Sequence, residues 1–222
     1  MGRVPRSPQG DPSFRWGDGR GMTLALIDYG AGNLHSVANA LKAAGGADVL
    51  VTADADAVLK ADRIVLPGVG AFGACAAALR AVPGMVEALE QRVRRDGVPF
   101  LGICVGMQLM ADTGEEHGVH AGLGWIAGTV RHLTPDDTTA KVPHMGWNDV
   151  VPTTPHALIV PGEAYFLHSY AFDGADTLAT TEHAGPVTAA IGRDNLLGVQ
   201  FHPEKSQRYG LALLERFLTW KP

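Results

Sequence analysis

Cysteine is scarce: only Cys75 and Cys104 occur in 222 residues. Two thiols are too few for a disulfide framework and suit a reducing cytosol. No apolar run approaches the roughly 18–20 residues needed to cross a bilayer as a helix. A Lys/Arg-rich run is also missing, and 18 basic residues against 23 acidic ones leave a net charge of −5. That balance argues against nucleic acid and anionic membranes as partners. There is no Cys/His cluster with metal-ligand spacing, and no internal repeat or long linker divides the chain. What is present is 46% hydrophobic and 18% charged, the composition of one large compact domain with a real core.

The first 21 residues differ from the rest. The stretch MGRVPRSPQGDPSFRWGDGRG is rich in Gly, Pro and Arg, shows no apolar period and lacks the apolar core of a secretory signal. Residues 1–21 are therefore expected to form a disordered extension, and 22–222 the folded domain. Without the extension the charge is 14 basic minus 21 acidic, or −7.

From Met22 onward short apolar runs alternate with helical segments. Leu24–Asp28, Asp48–Thr52, Arg63–Pro67 and Pro99–Cys104 read as strands buried on both faces. Asn33–Ala44 reads as a helix capped by Asn33 and stopped by Gly45-Gly46, and Gly84–Asp96 as another. This alternation predicts a parallel sheet with helices on both sides. Strand-like runs dominate later: Trp125–Leu133, Trp147–Val151, Ala164–Phe172 and Thr177–His183. A hairpin turning at Asp194-Asn195 and a final helix from about Gln207 to Trp220 complete the pattern. The expected fold class is α/β, with antiparallel strands added in the second half.

Three short stretches carry chemistry. In IVLPGVGAFG, Gly68, Gly70 and Gly73 spell G-x-G-x-x-G, the letters of a dinucleotide-binding turn. Such a turn follows the first strand and is answered by an acidic residue ending the next strand, about 20 residues on. Here it follows the third strand, and Glu87 and Glu90 at that distance fall inside a helix. The nucleotide reading fails, and with it any implied cofactor.

In GICVGMQLM, Cys104 ends the fourth strand between Gly102 and Gly106. This is the cysteine counterpart of a G-x-S-x-G nucleophile elbow. The glycines allow a sharp turn, and the sulfur faces a helix N-terminus that favours thiolate. Burial of a small structural thiol is the competing reading, and it is preferred for Cys75. Downstream, GVQFHPEKS offers His202 as base and Glu204 as its orienter, two residues apart on one face of an extended segment. The amides of Val69 or Gly70 then join that of Val105 as an oxyanion hole.

LPGVGAFG, GICVGMQ and HPE together resemble the class I (triad-type) glutamine amidotransferases, over essentially Thr23 to the C-terminus. IDYGAGNLHSV, Val69-Gly70 and VPHMGWN make the narrower resemblance one to the glutaminase subunits of imidazole glycerol phosphate synthases in histidine biosynthesis. The resemblance implies a flavodoxin-like, mostly parallel sheet and hydrolysis of glutamine through a Cys104 thioester, with His202 as acid and base and Glu204 orienting it. It implies a glutamine pocket lined by Gln108, Glu116, His168, Ser169 and Tyr170, with the Glu116 carboxylate suited to the substrate's α-ammonium. It also implies that Asn33, Met145, Trp147 and Lys205 face a separate cyclase, a (β/α)8 barrel forming a heterodimer with this chain and receiving the ammonia. No cofactor or metal is implied. The alternatives are the stand-alone glutaminase of another amidotransferase, such as pyridoxal phosphate synthase, and a non-catalytic relic that only binds a partner. Asn33 has a bland reading as a helix cap, and Trp147 as a core residue.

Overall fold

The computed structural model describes residues 22–46, 48–134 and 140–222; the expected N-terminal extension lies outside them. The first half runs β1 (Thr23–Ile27), α1 (Leu34–Ala43), β2 (Asp48–Thr52), α2 (Ala55–Val58), β3 (Arg63–Gly68), α3 (Phe72–Ala81), α4 (Met85–Leu89), β4 (Phe100–Cys104) and α5 (Val105–Gln108). The side chains of β1, β3 and β4 are almost wholly buried, as their unbroken apolar runs require. Asn33 does cap α1, its side chain accepting from Ser36 N at 3.4 Å. The helix expected over Gly84–Asp96 begins as α4 and finishes as a π-helical turn over Glu90–Arg95.

The second half contains β5 (Thr113–Gly114), β6 (His120–Ala121), β7 (Gly128–His132), β8 (His144–Pro152), β9 (Gly162–His168), β10 (Tyr170–Gly174), β11 (Thr177–Glu182), β12 (Pro186–Arg193), β13 (Leu196–Val199) and α6 (Gln207–Thr219). Among the described residues they form a nine-stranded sheet ordered β2-β1-β3-β4-β13-β12-β11-β8-β9 and a four-stranded sheet ordered β10-β7-β5-β6. The strands β2-β1-β3-β4-β13 are mutually parallel. Numbered by themselves they follow the 2-1-3-4-5 order of flavodoxin-like sheets. The remaining four strands of the large sheet pair antiparallel. No single helix among the described residues is long and apolar enough to cross a membrane.

Two expectations are corrected. β2 is not buried on both faces: it is the sheet's edge, and Leu50 and Val51 are exposed. The run Ala164–Phe172 is not one strand. It breaks at Ser169, where β9 leaves the large sheet and β10 joins the small one. Apolar alternation continues through the break, so the pattern contains no sign of it.

The position of β13 matters most for function. The β12–β13 hairpin turns at Asp194-Asn195 as expected, with Asp194 at φ +50°. Asn195 then donates from Nδ2 to Val93 O (2.8 Å) and Val98 O (2.7 Å), while Phe100 N donates to Asn195 O (2.9 Å). These bonds seat the turn at the start of β4. β13 therefore runs beside β4, with Val199 opposite Ile103, and β3 flanks β4 on the other side, with Gly68 opposite Cys104. Three neighbouring parallel strands thus release their chains at one edge of the sheet.

Candidate active site

Cys104 ends β4 with φ +53° and ψ −112°, and α5 starts at the next residue. A left-handed φ strains any residue but glycine, at a cost of roughly 1–3 kcal/mol, and persists only where the surroundings enforce it. Here they do. A Cβ on Gly106 would lie 1.8 Å from Leu66 O, and one on Gly102 would lie 2.7 Å from Gly106 O. The glycines are thus not the turning residues that the motif suggested. They let α5 press onto β3 and β4, and Cys104 itself takes the turn. α5 is also only four residues long, so the helix dipole expected to favour thiolate is that of a single turn. The stronger positive charge comes from His202.

His202 follows β13, and its side chain is 3% exposed against 2% for that of Glu204. Its Nδ1–H donates to Glu204 Oε1 at 2.9 Å, because a carboxylate only accepts. The pair does not meet across an extended segment as expected: Pro203–Lys205 form a 3₁₀ turn that folds Glu204 back under the ring. Main-chain bonds hold the ring's base in place. His202 N donates to Tyr165 O (2.9 Å), and Ser206 Oγ donates to His202 O (2.7 Å) while accepting from Tyr165 N (2.9 Å). Burial disfavours the charged imidazole. Hydrogen bonds to Cys104 and Glu204, with their negative charges, outweigh it and lift the ring from 6.5 to about 9.

The loop between β3 and α3 is pinned at Val69 and on either side of it. Tyr29 Oη donates to Pro67 O (2.8 Å), Cys75 Sγ donates to Val69 O (3.4 Å), and Phe72 N donates to Glu116 Oε2 (2.7 Å). Gly68 has no room for a side chain, since a Cβ would lie 2.7 Å from Gly106 N and from Tyr29 Oη. Gly70, at φ +104°, faces open space. Cys75 is buried, as expected, but it is also a contact of the loop.

Cys104, His202, Val69, Gly70 and Val105 line one cavity of about 300 Å³. Gln108, Glu116, His168, Ser169, Tyr170 and Lys205 line it too. A larger hollow of about 660 Å³ beside Val151 and Val160 collects none of the residues expected in the site, so chemistry rather than size picks out the smaller one. Burial pushes His168 down to about 3 and its neighbour His144 to about 4, so both rings are neutral at pH 7. Their tautomers follow: His168 Nδ1–H donates to Tyr170 O (3.0 Å), and His144 Nδ1–H to His168 Nε2 (3.1 Å).

The four residues expected to face a partner are not in the cavity as a group; only Lys205 borders it. Met145 (65% exposed) and Trp147 (47%) point outward from β8, paired with Leu167 and Tyr165 of β9. The reading of Trp147 as core is thereby removed. Leu167 lines the cavity as well, so this exposed apolar strip reaches its mouth. Asn33 is exposed beside the start of α1. Among the described residues no three His, Cys, Asp or Glu side chains converge as a metal site would need.

A strained cysteine, an imidazole lining the same cavity and a carboxylate behind the imidazole are thus gathered at the carboxyl edge of a flavodoxin-like sheet, the set of groups that thiol-dependent acyl transfer uses. The chain belongs to the class-I glutamine amidotransferase family, whose model matches residues 25–220. It is 66% identical to imidazole glycerol phosphate synthase subunit HisH of Zymomonas mobilis subsp. mobilis over 90% of this chain and 97% of the relative. It is 55% identical to the protein of the same name from Rhodospirillum rubrum, over 90% of this chain and all of the relative. Among solved structures, a glutamine amidotransferase superposes with TM-score 0.69 at 17% identity, covering 89% of this chain and 97% of that one. PurLQS from Thermotoga maritima gives 0.62 at 14%, with the same coverage. At such identities these two show the fold alone.

Sequence reasoning missed Tyr29, Ser206 and Gln200. Gln200 lay inside the quoted motif, two residues before His202, but a glutamine in an apolar strand carries no signal of what it bonds.

Proposed function

We infer that this chain is the glutaminase subunit of an imidazole glycerol phosphate synthase: it hydrolyses glutamine and supplies the ammonia for histidine biosynthesis. The observation that carries the mechanism is the convergence of Cys104, the His202–Glu204 pair and the Val69-Gly70 loop at three adjacent strand ends. Curated relatives at 50–66% identity share one name, which removes support from a glutaminase of another amidotransferase. The complete Cys104, His202 and Glu204 set argues against a relic.

In the proposed mechanism the Cys104 thiolate adds to the side-chain amide carbon of glutamine. The oxygen becomes negative and is held by the amide of Val105 with that of Val69 or Gly70; losing one such donor typically costs about 10²–10³ in rate. Charged His202 gives its proton to the departing ammonia, leaving a thioester. The neutral ring then takes a proton from water, hydroxide adds to the thioester, and glutamate leaves as Cys104 is regenerated. Glu116 receives the α-ammonium of the substrate, and His168, Ser169 and Tyr170 cradle the other end with Gln108. The Met145–Trp147–Leu167 strip, with Lys205 and Asn33, docks a separate (β/α)8-barrel cyclase in a cytoplasmic heterodimer.

Two outcomes test the assignment. A chloroketone analogue of glutamine should modify Cys104 at least tenfold faster than Cys75, whose thiol burial pushes up; peptide mapping that finds Cys75 as the main adduct would overturn it. Glu204→Gln should cost about 10⁴-fold in glutamine hydrolysis, against about 10⁶-fold for Cys104→Ala, because it removes an orienting charge and not the nucleophile. Without the Glu204 charge the His202 ring loses its proton more easily. The alkaline limb of the rate profile, expected near the His202 value of about 9, should therefore move to lower pH. An alkaline limb unchanged by Glu204→Gln would sink the role given to the pair.

A further inference from the structure

Gln200 is 0% exposed, and its side chain touches the nucleophile. Its backbone N–H is already used, donating to Ala189 O at 2.9 Å. Its amide oxygen accepts from Gln108 Nε2 at 3.0 Å, and Gln108 Nε2 also donates to Tyr170 O at 2.9 Å. A main-chain carbonyl only accepts, so Tyr170 O fixes which end of the Gln108 amide carries the hydrogens. Both Gln108 N–H groups are then spent, one on Tyr170 and one on Gln200. The Gln200 amide cannot be turned round without setting two NH₂ groups against each other. Its own NH₂ therefore faces the other way, where Cys104 Sγ lies 3.7 Å from Nε2.

We propose that Gln200 is a dedicated hydrogen-bond donor to the Cys104 sulfur, a second stabiliser of the thiolate beside His202, with Gln108 serving to lock its orientation. A donor held against a charged sulfur in a water-poor site favours the ionised form. It also keeps the sulfur on one side of the strained residue, aimed at the cavity. Gln108 then contributes to the site mainly by what it bonds inside the protein, although its side chain also lines the glutamine cavity. The titratable groups around this sulfur are His202 after β13, with Glu204 behind its ring, Tyr29 after β1 and Cys75 on α3; Glu116, His168 and Lys205 line the same cavity. Replacing Gln200 leaves all of them in place.

The inference rests on Cys104 being the nucleophile, and the test separates the two. The rate of Cys104 alkylation by iodoacetamide is measured against pH for the full chain, with the modified peptide mapped, in wild type, Gln200→Met and Gln200→Glu. Methionine fills the same volume without a donor; glutamate keeps the shape and the acceptor for Gln108 but brings a negative charge to the sulfur. The midpoint should rise by about one pH unit in Gln200→Met and further in Gln200→Glu, roughly tenfold less thiolate at pH values below both midpoints. The kcat for glutamine should fall in step while KM stays within about twofold. A buried amide that merely fills space would move the melting temperature and not the alkylation midpoint, so superimposed titration curves overturn the proposal. If Gln200→Met does not fold, the near-isosteric Gln200→Glu decides by the same curve. If wild-type Cys104 is not the thiol labelled, or Cys104→Ala still hydrolyses glutamine, the catalytic reading itself falls, and the inference with it.

Discussion

A complex of the cyclase with Cys104→Ala is expected to lose glutamine-driven synthesis by about 10⁶-fold and to keep synthesis driven by added ammonium at wild-type rate. In the proposed mechanism the Cys104 thiol forms the thioester, and the other cysteine does not line the cavity: Cys75 is buried on α3 and hydrogen-bonded to Val69 O. Alanine accepts the same backbone geometry at position 104 about as poorly as cysteine does, so φ +53° adds no new strain on substitution. The fold, the exposed Met145–Trp147 strip and the docking of the partner should therefore survive. In the proposed heterodimer ammonium bypasses the lost step, because the acceptor chemistry is assigned to the cyclase. Loss of both activities would mean that Cys104 supports structure or docking. Retention of glutamine-driven synthesis would mean that the nucleophile lies elsewhere.

Gly106→Ala is expected to be the most destabilising small substitution at the site, by more than about 3 kcal/mol, the upper end of what overpacking usually costs. The added Cβ would lie 1.8 Å from Leu66 O and 2.8 Å from Leu66 C, and both are backbone atoms of a fully buried central strand. No side chain can rotate away. Either α5 lifts off β3, moving Val105 and the sulfur, or β3 shifts and carries the Val69-Gly70 loop with it. Whatever fraction folds should therefore hydrolyse glutamine poorly. Gly45→Ala is the control: its φ is +98°, but nothing lies within 4 Å of the added carbon, so only the left-handed conformation is penalised, by about 1–2 kcal/mol. Denaturant midpoints compare the two. A Gly106→Ala protein as stable as Gly45→Ala would refute the close packing of α5 on β3.

The features legible from the amino-acid order were those that short-range stereochemistry imposes. Unbroken apolar runs marked β1, β3 and β4, because a strand covered on both faces has no polar side. The spacing Gly102–Cys104–Gly106 marked the elbow, because only glycine leaves room on either side, where an added Cβ would lie 2.7 and 1.8 Å from backbone oxygens. Asp194-Asn195 marked the hairpin, and His202-Pro203-Glu204 placed an imidazole and a carboxylate too near each other in sequence to be kept apart. Other features depend on contacts between distant residues, which no local pattern encodes. β13 lies beside β4 because the Asn195 side chain reaches Val93 and Val98, and only that placement carries His202 to Cys104. β2 is exposed because nothing pairs beyond it among the described residues, and the break at Ser169 follows from β10 finding β7 in another sheet. The orientation of the Gln200 amide depends on Gln108, 92 residues earlier, and on Tyr170 O. Turns and strand patterning cost or gain free energy within a few residues of chain, so the sequence determined them. Strand adjacency and buried amide orientation are settled only when distant segments close on one another and every buried polar group must find its partner, so those were left to the tertiary structure.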